Sequence, residues 1–368
     1  MASESQRASA MTPLMGVPSP SPRRRLLAAG FAEPDRALRA LEDRALADLL
    51  AHAGGGSDEA GDLLVTALGA TADPDLALLS LLRLAGACAQ EDDPTAANGL
   101  VEVLRAVVGE PGPGGAGTSR RAHAERLLAV LGSSQALGDF LVSHPDHLDA
   151  LSLERAWNAP GQPDASLLLV DAAREALAAR AAAEPQAPAG PADPAALEEA
   201  TAAMRRAYYD RLLAIAADDL VSTAPAAHVG VVGAAMADLA DAALEAALLI
   251  ARAGVGPQAR RLAFAVIAMG KAGARELNYI SDVDVIHVVG PAAAVAGTPE
   301  EPSEAELVRL GTEIAGHLHR ATSASGSEPA LWPLDTGLRP EGKDGALVRT
   351  LASHVAYYER WASSWEFQ

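Results

Sequence analysis

The sequence predicts an α+β protein: a mainly helical region over residues 23–255, a small α/β region over 256–345, and the start of a further helical segment over 346–368. Three observations predict it. Hydrophobic residues make up 49% of the 368 residues while aromatics make up only 4%, and much of the apolar content is alanine, the best helix former. Apolar residues recur at helical spacing in one segment after another up to about residue 255. At Arg261 the texture changes to short apolar runs that end in glycine. The length suits two or three domains.

Residues 1–22, rich in Ser, Pro and Met, read as a disordered leader. From Asp35 onward Leu38, Leu41, Ala45 and Leu49 share one helical face, and similar segments follow around 60–70, 74–90, 94–109 and 120–131. "GEPGPGGAGT" (109–118) and "EPQAPAGPADPA" (184–195) read as loops. "SSQALGDFLVSHPDHLDALS" (133–152) reads as short helices broken at Pro145. Helices are predicted over 196–220 and 231–254, the second ended by Gly254. "RLAFAVIAMG" and "VDVIHVVG" suit buried strands. A helix over 303–321 has Ser303 as its cap and Glu306 at the capping-box position. "LWPLDTGLRPEG" gives a short third strand and a turn, and residues 346–365 begin another helix.

The net charge of −19 argues against a nucleic-acid-binding surface, which needs clustered Lys and Arg. It leaves room for a nucleotide whose charge is met by metal ions. The single cysteine, Cys88, excludes an internal disulfide and reads as a small buried hydrophobe. No apolar run approaches the ~18 residues of a membrane span, so a soluble, cytoplasmic protein with no membrane partner is expected.

The chemistry concentrates where lysine appears. The chain has two lysines, Lys271 and Lys343, among 29 basic residues. Lys271 follows Gly270 at the end of the first predicted strand, and Asp282 and Asp284 begin the second. Two residues apart on a strand, these carboxylates project from one face. They repel unless a cation sits between them, and hard oxygen ligands suit Mg²⁺. Asp335 on the third strand is the candidate third acid of a two-metal site, which would stabilise the entering and leaving oxygens of a phosphorus displacement. Gly270 would let backbone N–H groups approach phosphate, and Lys271 would reach its oxygens as a point charge. Arg339 could fork onto phosphate, with Lys343 adding charge nearby. This is not a Walker A loop, because Ala265 and Ala272 stand where that motif needs Gly and Ser/Thr.

The order strand, Gly-Lys, Asp-x-Asp strand, helix, acidic strand resembles the nucleotidyltransferase superfamily that includes DNA polymerase beta. "GKAGARELNYISDVDVI", "DTGLRPEGKDGALVRTL" and "YYERWASSWE" resemble the bifunctional glutamine synthetase adenylyltransferase/adenylyl-removing enzymes more closely, and "LGDFLVSHPDHL" and "AMRRAYYDRLLAIAADDL" resemble their upstream helical region. The resemblance covers roughly residues 130–368. It implies the N-terminal, adenylyl-removing half, in which AMP leaves a glutamine synthetase tyrosine by phosphorolysis as ADP. The C-terminal half of that family adds AMP from ATP. It further implies metal ligation by Asp282, Asp284 and Asp335, a phosphate loop at Gly270 and Lys271, and a substrate-facing Arg339. Orthophosphate, an adenine nucleotide, glutamine synthetase and a nitrogen-signalling protein are the implied partners, and the fold is expected to be incomplete at its C-terminus. Ala272, Ala274 and Gly337 depart from the family, which commonly has Leu, Gly and Arg there.

Simpler readings stand beside these. "DPD" at 73–75 reads as a helix start, and Arg339 and Glu341 as a turn salt bridge. His144 and His147 read as surface or capping residues rather than metal ligands, His287 as a core histidine, and Tyr208–Tyr209 as packing residues with surface hydroxyls. A nucleotidyltransferase acting on another protein or small molecule, and a catalytically silent regulatory module, are the alternative functions.

Overall fold

A computed structural model describes residues 21–54, 58–91, 94–109, 115–158, 164–183 and 190–367. The expected leader lies outside these residues except for its last two positions, and Pro22 already opens the first helix. Eight helices follow one another: α1 (Pro22–Ala28), α2 (Pro34–Leu41), α3 (Arg44–His52), α4 (Asp58–Leu68), α5 (Pro74–Cys88), α6 (Thr95–Val108), α7 (Gly115–Leu131) and α8 (Gln135–Ser143). The chain turns through a 3-10 segment at Pro145–Leu151 and continues in α9 (Ala165–Ala183), α10 (Pro194–Leu220) and α11 (Pro225–Val255). Side chains cap many helix starts. Asp73 accepts from the Leu76 amide at 2.9 Å, and Asp193 accepts from Ala195 and Ala196 at 2.9 and 3.0 Å. Proline occupies the first turn of α1, α2, α5, α10 and α11, where its missing N–H costs nothing.

Two cores form. The first gathers Leu46, Leu64, Leu81, Leu100, Leu127 and Phe140 from α3–α8. The second gathers residues of α9–α11 with the sheet that follows. The long helix α10 belongs to both: Leu213, Ala216 and Ala217 enter the first, Ala200, Met204 and Tyr208 the second. Cys88 is buried in the first core, which pushes its thiol pKa up to about 11, so the site is structural. Among the described residues no helix is long and apolar enough to cross a membrane.

The α/β region contains β1 (Leu262–Ala268), α12 (Gly270–Gly273), β2 (Val283–Pro291), α13 (Glu304–Ser323), β3 (Leu334–Asp335), β4 (Val348–Thr350) and α14 (Leu351–Arg360). β2 is central. β1 pairs with it antiparallel, from Leu262 opposite Pro291 to Ala268 opposite Val285. Along its other edge β3 and β4 pair in turn, both parallel. Val283, Val285 and Val289 point into the core beneath α11 and α13, so the alternation of the strand turns Asp282 and Asp284 to the opposite face. Ser303 caps α13 by accepting from the Glu306 amide at 3.3 Å. The Glu306 carboxylate goes instead to Arg261 at 2.6 Å, leaving the capping box half made.

Several sequence expectations shift. The stretch 115–118, expected as loop, is the first turn of α7, because the buried Leu127, Leu128 and Leu131 further along fix the helix despite its glycines. Gly254 does not end α11. The helix runs on to Val255 and breaks at Gly256, whose φ of +76° suits glycine. Gly254 is small for another reason: a Cβ there would lie 2.6 Å from the His317 ring of α13. Residues 348–350, expected as helix, pair with β2 as a strand, with Val348 and Thr350 buried.

Candidate active site

The acids meet through register rather than through sequence proximity. Asp284 on β2 stands directly opposite Asp335 on β3, and Val283 N–H donates to Pro333 O at 3.0 Å to hold that pairing. Burial, then the charges of Asp282 and Asp335, raise the Asp284 pKa, and Lys271 partly offsets them. Asp282, Asp284, Asp335 and Lys271 therefore share one electrostatic neighbourhood. Asp335 Oδ1 accepts from the Gly337 amide at 2.6 Å. Among the described residues no group of three or more His, Cys, Asp or Glu side chains is arranged so that it could hold a metal ion. The arrangement is an open edge of carboxylates.

Gly270 and Lys271 follow β1 in the single turn α12. Met269 N–H donates to Asp284 O at 2.8 Å, so the strand end is tied to the acid-bearing strand. Gly270 has φ +52°, and a Cβ there would lie 2.3 Å from Asp284 Oδ2. Glycine was expected to admit phosphate. In the structure it admits the Asp284 carboxylate. Lys271 is exposed beside it.

The loop from Thr336 to Gly345 holds the remaining predicted residues. The Arg339 guanidinium is occupied by its own loop. It donates to Thr336 O at 2.8 Å, Thr336 Oγ1 at 3.0 Å, Lys343 O at 3.0 Å and Gly345 O at 3.1 Å. These bonds tie the loop together, and a fork onto phosphate would exchange some of them. Glu341 does not pair with Arg339 either. Its partner is Arg349 on β4, whose guanidinium also lies 5.7 Å from the Tyr357 ring centroid. Lys343 is exposed on the loop, and its carbonyl serves Arg339.

Sequence reasoning missed what holds β3 from behind. Arg205 of α10 is buried and donates to four carbonyls: Ala324 at 2.7 Å, Glu328 at 2.9 Å, Ala321 at 3.0 Å and Arg320 at 3.2 Å. The buried Glu328 carboxylate takes Arg206 at 2.7 Å and His144 at 2.8 Å. Tyr209 donates to Ala330 O at 2.9 Å. The expected surface or capping role of His144 and His147 thus gives way to paired, largely covered positions, while the Tyr209 hydroxyl bonds at the surface as expected. His147 bonds Asp210 at 2.7 Å, and both histidines and Tyr209 pack around Phe140. The only sequence signal was an arginine pair inside an otherwise apolar helix face. His287 is buried against Phe264, as read from its strand position. Asp73 starts α5, as "DPD" suggested.

Comparison with known proteins places this geometry. Residues 124–368 match the family described as Glutamate-ammonia ligase adenylyltransferase. The chain is 41% identical over 345 residues to the bifunctional glutamine synthetase adenylyltransferase/adenylyl-removing enzyme of Streptomyces avermitilis, covering 94% of this chain and 28% of that protein. The protein of the same description from Streptomyces coelicolor is 40% identical over 345 residues, covering 94% and 29%. That of Leifsonia xyli is 43% identical over 255 residues, covering 67% and 23%. The chain spans less than a third of the length of these relatives. A match over the whole α/β region and much of the helical one settles the family: the chain belongs to the glutamate–ammonia ligase adenylyltransferases.

Proposed function

We propose that this chain removes AMP from an adenylylated tyrosine of glutamine synthetase by phosphorolysis and so takes part in regulating nitrogen assimilation. The observation that carries the reading is the in-register pairing of Asp284 with Asp335, with Asp282 and Lys271 in the same electrostatic neighbourhood. The names of the curated relatives supply the substrate.

The residues fit magnesium. The donors are all carboxylate oxygens, and their mutual repulsion is the kind of field a divalent cation offsets. Asp282, Asp284 and Asp335 would hold it, and when bound it would supply charge neutralisation at the reacting phosphoryl group. The three acids form no ready-made ligand set, so an ion held there would keep several positions for water and phosphate.

In the reaction an orthophosphate oxygen forms a bond to the AMP phosphorus while the bond from phosphorus to the tyrosyl oxygen breaks. ADP and a free tyrosine hydroxyl result, the proton passing from hydrogen phosphate to the leaving phenolate. Orthophosphate is already anionic, so the chain's task is positioning and charge balance rather than base catalysis. Lys271 would steady phosphate oxygens. Arg339 keeps the 336–345 loop in shape, and Lys343 adds positive charge to that loop. The longer relatives are named for adenylyl transfer as well as adenylyl removal.

The test is direct. Purified chain with AMP-modified glutamine synthetase, Mg²⁺ and orthophosphate should release ADP, and Asp282→Asn should abolish release while the protein stays folded. A folded wild-type chain that leaves the modified enzyme intact would refute the proposal.

A further inference from the structure

The loop between α12 and β2 crosses the start of α11 and ends at the acids. Glu276 N–H donates to Lys271 O at 2.8 Å. Arg275, with φ +60°, donates to Asp238 of α11 at 2.8 Å. Leu277 is buried, and the Tyr279 hydroxyl donates to Asp219 of α10 at 3.0 Å. Ile280, the next residue, is 94% exposed and stands two residues before Asp282. It does not stand alone. A Cβ on Gly233 of α11 would lie 3.3 Å from Glu276 Cα, so that helix face lies against the loop. Val229, one turn earlier on the same face, is 70% exposed. Leu220 and Val221, which follow Asp219, are exposed too. Single apolar residues scattered over a surface need no explanation, but a cluster on a tethered loop beside charged groups marks a contact site.

We propose that Ile280 and Val229 receive the stretch of polypeptide that flanks the modified tyrosine in the protein substrate, through an apolar side chain of that stretch. This rests on the phosphorolysis reading above and adds the residues that distinguish a protein target from a small AMP ester. Reach argues for this occupant. With the reacting phosphorus at the acids, the target's backbone stands one tyrosine side chain away. That length is close to two extended residues, ~7 Å, which is also the most by which Ile280 and Asp282 can be separated along the chain. The target's main chain therefore passes at the level of Ile280. Charge points the same way. The chain carries a net charge of −19, and the acids of the site repel anionic surfaces. Apolar contact is an attraction that this field does not oppose. The tethers at Arg275, Glu276, Leu277 and Tyr279 hold the loop before the target arrives, so little order has to be gained on docking.

The experiment follows ADP release, in Mg²⁺ and orthophosphate, from two substrates with the same kind of scissile bond: AMP-modified glutamine synthetase, and the nitrophenyl ester of AMP, which carries no polypeptide. Ile280→Ser changes a side chain exposed enough to leave the fold intact. It should raise KM for the protein substrate about tenfold with kcat retained, and should lose far less with the aryl ester. Ile280→Val should stay close to wild type on both, and Val229→Ser should show a smaller rise in KM for the protein. An unchanged KM for the protein in Ile280→Ser, or an equal loss with both substrates, would overturn the docking site while leaving the phosphorolysis reading standing. Release from neither substrate by folded wild-type chain would remove that reading and the docking site with it.

Discussion

The stretch from Arg320 to Gly345 is built on opposite terms at its two ends. Upstream, around Glu328, polar groups are buried and matched: Arg205 meets four carbonyls and Glu328 meets Arg206 and His144. Downstream, at Asp335, carboxylates face each other across β2 and β3 with Lys271 as partial compensation. The contrast teaches how one segment can hold both terms. The hydrogen-bonding capacity of α10 fixes the 320–328 stretch that leads into the strand, and the acids at its tip carry like charges that Lys271 only partly offsets. Rigidity upstream makes frustration downstream sustainable.

The comparison breaks most visibly if the clamp is removed. Arg205→Ala should leave four inward carbonyls, at the end of α13 and in the segment that follows it, without a donor, a loss of about 3–5 kcal/mol in urea unfolding. Arg205→Lys should recover little, because an ammonium cannot reach carbonyls spread around a planar fork. An unchanged midpoint in the alanine variant would mean that β3 is held by something else.

The middle of β2 offers the next largest effect, because the same strand also buries His287, whose Nδ1 has no hydrogen-bond partner among the described residues. Burial, with Arg339 second, pushes His287 from the ordinary imidazole value of 6.5 down to about 4. The neutral ring contributes stability that is fully present above pH 6.5 and is lost as pH falls towards 4. Integrated over that window, the loss is roughly 3 kcal/mol. His287→Leu should flatten this limb of the pH–stability curve. If the wild-type curve shows no such fall, the ring is not sealed from water and the strand is less rigid than its acids require.

How much of this was legible in the sequence follows from range. Gly270, Lys271, Asp282 and Asp284 lie within fifteen residues, so local pattern placed them on a turn and a strand face. Ser303 was legible because a cap is a three-residue device. Asp335 could be named but its register could not, since parallel pairing with β2 is fixed across fifty residues. β4 was missed for the same reason: three residues carry too little alternation to outweigh the helix that follows. Arg339 reads as a phosphate ligand because it follows the acids, while its hydrogen bonds to its own loop leave no pattern in the sequence. Arg205 and Glu328, 123 residues apart, left no local trace of their pairing.

A smaller effect sharpens the downstream half. Gly270→Ala forces a side chain onto a backbone with φ +52° and sets its Cβ against the Asp284 carboxylate. The strain should cost about 1–3 kcal/mol. It should also cut ADP release disproportionately, because the displaced group is an acid of the site. Equal stability with full activity would show that Asp284 has room to spare and that the glycine is incidental.

The smallest stability effect is also the most informative, because its sign is unusual for a site mutation. Asp282→Asn removes one of three like charges while keeping the shape of the side chain. Without divalent cation the variant should be more stable than wild type, by a few tenths of a kcal/mol given the exposure of Asp282. With Mg²⁺ the order should reverse, since wild type gains from a cation that the variant holds poorly. Thermal unfolding with and without Mg²⁺ reads both changes, and ADP release should be lost in the same protein. A variant less stable than wild type in the absence of cation would mean that the acids are stabilised by partners other than metal. The frustrated half of the comparison would then be wrong, even if the upstream clamp behaved as expected.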